Sequence, residues 1–302
     1  MWLEEEKTEL KMSSLWRYSY LLERHIYPEF GNIRIKDLTQ EMVQEFAKEK
    51  RKTGSIKGSK PLSDSYVNSI LILFLGMHAY AVQKQMCEAF PSAISKPGMK
   101  KSRYKILSVE EMTRLLSRSD ETTVPISTGI AITLYAGLRV GEVCALQWKH
   151  IDLEQGILSV CQTVQRVKKG SGIDGSYLRI DIPKTPSSMR EIPIHPNLMK
   201  LLKERKEADG NLFVVTGTAQ FMNPATYETQ FHRLLKQAGV ADVNYHALRH
   251  SFTSACVESG MDIKALSEML GHAKVTTTLD IYTHLSMNMK QKEIRKFPAL
   301  QS

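Results

Sequence analysis

Apolar and aromatic residues recur at helical spacing through the first third of the chain. Leu15, Tyr18, Leu21 and Leu22, with Trp16 beside them, predict a helix over Ser14 to Ile26, ended by Pro28 and Gly31. Thr39 suits an N-cap for a helix reaching about Lys50, and Glu41 in its first turn favours the positive end of the helix dipole. Lys50 to Lys60 reads as a basic loop, after which Ser63 caps a long apolar helix reaching about Met86. The longest apolar run, Ile70 to Val82, is broken by Gly76 and His78. It is too short to span a bilayer and reads as a buried helix. The expectation is a four-helix bundle over residues 1–94.

Ser95 to Lys105 breaks the pattern with Pro97 and Gly98, and it carries Lys96, Lys100, Lys101 and Arg103 without an acid. It reads as a linker over 95–105, either a solvated tether or a segment that crosses a phosphate backbone. Residues 106–302 form a second domain. Ser108-Val-Glu-Glu111 has the capping-box pattern. Helices are predicted from about Val124 to Tyr135, ending at Gly137, and from about Gly141 to Gln147, with Arg139 in the turn between them. The period then changes from helical to alternating. Ile157 to Val167, Tyr177 to Ile182 and Glu191 to Ile194 predict a three-stranded antiparallel sheet, with Lys184 in the turn before its last strand. From Leu198 onward the pattern is helical again. The fold class is therefore mostly α with a small antiparallel β-sheet.

Composition sharpens this picture. Forty-one Lys and Arg against 32 Asp and Glu leave a net charge of +9 over 302 residues, which favours an anionic partner, nucleic acid before others. Cys87, Cys144, Cys161 and Cys256 are scattered, and residues 1–11 are charged without an apolar signal core. Both features point to reduced thiols in a cytoplasmic protein.

The candidate chemistry gathers late in the chain. His246-Ala-Leu-Arg249-His250 lies on a predicted helix to about Ser259, where spacings of three and four share a face. HxxxH could suggest zinc, but no glutamate stands between the histidines and Arg249 would repel a dication, so His250 reads rather as a packed histidine. Ser267-Glu-Met-Leu-Gly271-His272 ends a short helix at Gly271, leaving His272 just beyond it. Val275 to Asp280 supplies cap residues for the next helix, which carries Tyr282. Upstream, Arg139 sits between two glycines with Glu142 three residues on. Each of these alone has an ordinary reading: a surface arginine paired with a glutamate, or a core tyrosine. Together, a hydroxyl, guanidiniums and imidazoles suit phosphodiester chemistry.

Five motifs then agree in order: Ala136-Gly-Leu-Arg139-Val-Gly-Glu142, Pro183-Lys184-Thr-x-x-Ser188-x-Arg190, His246-x-Leu-Arg249-His250, Leu270-Gly-His272 and Thr277-Thr-Leu-Asp-Ile-Tyr282. Through them the chain resembles the tyrosine recombinases, the phage-integrase family, and most of all integrases of conjugative transposons and phages. The first domain resembles the family's helical core-binding, SAM-like domain more loosely. Many such integrases carry a further arm-binding domain, for which this chain, starting at Trp2, leaves no room, so a shorter relative or a truncated form is expected.

The resemblance implies a mechanism. Tyr282 would be the nucleophile, Arg139 and Arg249 would stabilise the transition state, and Lys184 would be the general acid. His246 would assist proton transfer and His272 would hold a phosphate oxygen, with Glu142 and His250 in support. No metal and no cofactor are implied. The implied partners are double-stranded DNA recombination sites, a homotetramer on DNA, and accessory bending or directionality factors, with no membrane. The basic segment His284 to Phe297 would be a tail exchanged between protomers. Two rivals are a type IB topoisomerase, with a similar residue set, and a non-catalytic DNA-binding protein of the same fold.

Overall fold

The computed structural model describes residues 2–6, 12–53, 61–98, 105–120, 124–168, 176–183 and 185–281. The described chain divides into two compact units. The first is helical: α1 (Trp2–Glu6), α2 (Met12–Leu21), α3 (Tyr27–Phe30), α4 (Gln40–Thr53) and α5 (Asp64–Gln83). A π turn over Leu22–Ile26 carries α2 into α3. Pro28 therefore does not end the helix, as its sequence position suggested. It lies in the first turn of α3, directly after the π turn. Gly31 does end the run, its N–H donating to the Tyr27 carbonyl.

Both predicted caps form. Thr39 Oγ1 accepts from Met42 N at 3.3 Å and Ser63 Oγ from Tyr66 N at 3.3 Å. Among the described residues α5 alone is long and apolar enough to cross a bilayer, yet its Val67, Ile70, Leu71 and Phe74 are buried in the bundle core with Leu22 and Val43. The start of the linker is tied down as well, because Asn68 Nδ2 donates to the Pro97 carbonyl at 3.0 Å.

The second unit opens with α6 (Val109–Asp120). Its capping box is reciprocal: Glu111 N donates to Ser108 Oγ at 3.2 Å and Ser108 N to Glu111 Oε2 at 2.9 Å. α7 (Val124–Ala136) is apolar around much of its circumference and is buried from Ile126 to Leu134. Its few polar groups are matched inside the core, where Thr133 Oγ1 and the Tyr245 hydroxyl lie 2.6 Å apart. α8 (Val140–Ala145) follows one short turn later.

The single predicted sheet is in fact two. β1 (Ile151–Asp152), β2 (Ile157–Val160) and β5 (Arg190–Pro193) form one antiparallel sheet, and β3 (Thr163–Lys168) pairs with β4 (Ser176–Asp181) in another. The alternating run Ile157 to Val167 is thus split at Cys161 and Gln162. The reason lies in α8: β3 crosses Gly141 so closely that a Cβ there would sit 2.7 Å from Thr163 Oγ1. To make that crossing the chain must leave the first sheet. In that sheet Leu158 opposes Ile192, both fully buried, and Val160 opposes Arg190.

Five helices complete the unit: α9 (Pro196–Arg205), α10 (Pro224–Gln237), α11 (His246–Glu258), α12 (Ile263–Leu270) and α13 (Val275–Ile281). α11 packs along α7, and Leu107 N donates to Ser251 Oγ at 2.7 Å. α12 is capped by Asp262 and ends, as expected, at a left-handed Gly271. Val275 to Asp280, read from the sequence as cap residues, lie inside α13. The Lys274 carbonyl already accepts from Thr277 N, so helical bonding begins before them.

Candidate active site

Two left-handed glycines frame the site. Gly137 (φ +67°) ends α7 and Gly271 (φ +68°) ends α12. Neither tolerates a side chain: a Cβ on Gly137 would meet Phe252 and Leu270 at 2.8 Å, and one on Gly271 would meet the Ser187 carbonyl at 2.8 Å. The helix ends are thereby pressed together, and their carbonyls turn toward one buried arginine.

That arginine is Arg249, 1% exposed on α11. Its Nη1 donates to the Gly137 carbonyl at 2.7 Å, and its Nη2 donates to the Leu270 carbonyl at 2.7 Å. Nη2 also lies 2.9 Å from His272 Nε2. Burial, and then the charge of Arg139, push the Arg249 pKa down to about 9, so it still carries its proton at neutral pH. A guanidinium only donates, so His272 Nε2 must accept and the ring proton belongs on Nδ1, 2.9 Å from Thr278 Oγ1. Burial and the Arg249 and Arg139 guanidiniums push the His272 pKa down to about 4, in agreement with that neutral tautomer.

Arg139 precedes α8 and is partly exposed, whereas Glu142 is 3% exposed. The Glu142 carboxylate accepts from Arg139 N at 2.9 Å and from Arg139 Nη1 at 2.7 Å. Its other side is held by Arg190, whose Nη1 and Nη2 lie 3.1 and 2.9 Å from Oε1 and Oε2. Burial alone would raise the Glu142 pKa, but the two arginines outweigh it and the group stays below its ordinary value. Arg139 Nη2 reaches toward the Gly271 carbonyl at 3.5 Å. Three guanidiniums against one carboxylate leave this cluster at +2 with neutral histidines.

His246 opens α11 with one edge in solvent. The protein packed against its inner edge, then Arg249 and Arg139, lower its pKa. His250 is buried one turn on, its ring edge-on to that of His246 with centroids 4.5 Å apart. Burial and His246 push its pKa down to about 4. Among the described residues no group of three or more His, Cys, Asp or Glu side chains is arranged to hold a metal ion.

Five residues singled out in the sequence, Arg139, Glu142, His246, Arg249 and His272, are thus brought together, with His250 behind them. Lys184 and Tyr282 lie outside the described residues, as do Lys100, Lys101, Arg103 and the tail His284 to Phe297. Lys96 lines a polar cleft with Gln44, Lys48 and Arg51 in the first unit. Two contributors carried no role in the sequence reading. Arg190 stood in a motif, but its partner Glu142 is 48 positions away. Thr278 stands among the cap candidates and in the motif ending at Tyr282, but nothing in the sequence pairs it with His272.

Comparisons with known proteins follow the same division. A family model described as the phage integrase family matches residues 105–289, and one described as the phage integrase N-terminal SAM-like domain matches residues 1–51. The ICEBs1 integrase of Bacillus subtilis (strain 168) is 28% identical over 288 residues, covering 91% of this chain and 74% of that protein. Tyrosine recombinase XerC of Xylella fastidiosa (strain 9a5c) is 27% identical over 230 residues, 72% of this chain and 69% of its own. Among solved structures, the Tn1549 transposon integrase in complex with a circular intermediate DNA superposes with a TM-score of 0.75 at 23% identity, covering 98% of this chain and 97% of that one. A lambda integrase dimer bound to a core site gives 0.64 at 16% identity, covering 91% and 95%. At these identities the structures establish a shared fold.

Proposed function

The chain belongs to the phage integrase family, and from that premise we propose that it is a site-specific DNA recombinase acting in integration and excision of a mobile element through a 3′-phosphotyrosyl intermediate. It is an enzyme of the tyrosine recombinase type, which breaks and rejoins DNA strands. The observation that carries the reading is the buried Arg249, held by two helix-end carbonyls and directed at His272 beside Arg139. A cationic pocket with one carboxylate, already neutralised twice over, suits a phosphate that gains charge as it reacts.

In the proposed reaction the Tyr282 oxygen bonds to phosphorus and the bond from phosphorus to the 5′-oxygen breaks. The tyrosine proton passes toward His246, whose lowered pKa leaves it neutral and able to accept. Lys184 gives a proton to the departing 5′-oxygen. Arg139 and Arg249 stabilise the pentacoordinate phosphorus, and His272, once the incoming phosphate lets Nε2 take up a proton, donates to a non-bridging oxygen. Glu142 orients Arg139, and His250 packs behind His246. The reverse reaction, with a 5′-hydroxyl attacking the phosphotyrosine, reseals the strand without an external energy source.

The organisation we propose is a helical DNA-binding domain over 1–94, a basic linker over 95–105 with Lys96, Lys100, Lys101 and Arg103 along the backbone, and a catalytic domain over 106–302. Support comes from the separate matches of the two family models, over residues 1–51 and 105–289. Related integrases and recombinases have been solved bound to DNA, including a lambda integrase dimer on a core site, and DNA recombination sites are the partner proposed here. A homotetramer on two such sites, accessory bending factors, an exchanged C-terminal tail and a cytoplasmic location complete the proposal.

Plasmids carrying two copies of the junction sequence that flanks the encoding element test it. The expected result is recombination between the copies. Relaxation of supercoils without recombination would favour a topoisomerase, and binding without either would favour a non-catalytic module.

A further inference from the structure

We propose that Arg190 is a positioning residue of this site, acting through Glu142 on Arg139 and through backbone carbonyls on the turn that follows Lys184. The proposal rests on the recombinase reading above. Its basis is how one buried side chain, 5% exposed, divides its donors. Two guanidinium nitrogens face the Glu142 carboxylate, Nη1 also donates to the Ser188 carbonyl at 3.0 Å, and Nε donates to the Met269 carbonyl. Those acceptors belong to α8, to the turn over Thr185–Ser188 and to the last turn of α12. They are the three segments whose neighbouring residues are Arg139, Lys184 and His272.

The charges explain why an arginine is needed. A carboxylate serving Arg139 alone would cancel the charge that Arg139 offers to phosphate. Shared with Arg190, the same carboxylate fixes the Arg139 geometry while the trio retains a net positive charge. The fit also accounts for Gly271, since a Cβ there would lie 3.0 Å from Arg190 Cδ. The turn is closed from its other side by Thr185 Oγ1, 2.8 Å from Ser188 Oγ. Lysine's donors radiate from a single nitrogen, whereas these acceptors are reached from three separate guanidinium nitrogens.

The test is single-turnover formation of the covalent adduct on a nicked DNA site, with DNA affinity and thermal unfolding measured alongside. R190M and R190K are compared with R139K and with the double variant R139K/R190M. Expected are folded proteins with DNA affinity within about threefold of wild type and adduct formation slowed at least about a hundredfold in R190M. R190K recovers little of that rate. The double variant is slower than R139K but loses clearly less than the product of the two single losses, because Arg190 acts in part through the residue already altered. Wild-type rates in R190M, or losses that multiply in the double variant, overturn the proposal. If R190M does not fold, R190K decides by the same rate criterion. Absence of an adduct in wild type itself would instead overturn the recombinase reading and leave the geometry of Arg190 untouched.

Discussion

His272 illustrates how much of this site is decided by single donors and acceptors. Arg249 can only donate to it, so the free protein holds His272 neutral with its proton on Nδ1, facing Thr278. Nitrogen-15 NMR at pH 6 should find that tautomer, with the ring titrating near the expected value of about 4. Binding DNA should raise that value, because a phosphate brings the charge that protonation of Nε2 needs. The same depression has a consequence for stability. An unfolded histidine titrates near 6.5, so between about pH 6.5 and 4 the unfolded chain binds more protons than the folded one. His250 and His272 therefore contribute stability that is whole above about pH 6.5 and is lost as pH falls toward 4. Urea unfolding at pH 5 should give roughly 1–2 kcal/mol less per histidine than at pH 7.5. A flat profile across that range, or an Nε2–H tautomer, would contradict the arrangement.

Helix ends do the positioning at the next scale. Gly271 closes α12 with a positive φ and no space for a Cβ, whereas Gly239 closes α10 with φ +60° and nothing within 4 Å. Gly239→Ala should therefore cost only the left-handed strain, about 1 kcal/mol, and Gly271→Ala that strain plus displacement of the Ser187 carbonyl, about 2–4 kcal/mol. Only the second should slow DNA cleavage, since the adjoining carbonyls hold Arg139 and Arg249. Equal losses in the two variants would contradict this account. Helices of this kind were legible in the sequence because an apolar stripe and a cap are local signals, as at Thr39, Ser63 and Ser108. The strands were less so. β-branched residues continue past Cys161, and nothing local says that the chain must there leave one sheet to cross Gly141. Arg190 stayed silent for a related reason: a charge pair 48 positions long has no period.

Across the whole molecule, a net charge of +9 and an arginine cluster at +2 act on the same kind of partner at different ranges. The diffuse charge favours DNA at a distance, and the buried cluster acts only on a phosphate already in place. On family membership and the five motifs together, the proposal places the chemistry on Tyr282. The measurement that addresses this claim most directly uses a recombination site nicked so that the 5′-hydroxyl fragment diffuses away after cleavage. Wild-type protein should accumulate as a covalent protein–DNA adduct, and Tyr282→Phe should bind the same DNA with similar affinity and form none. An adduct that persists in Tyr282→Phe, or cleaved DNA with no protein attached, would contradict the assignment.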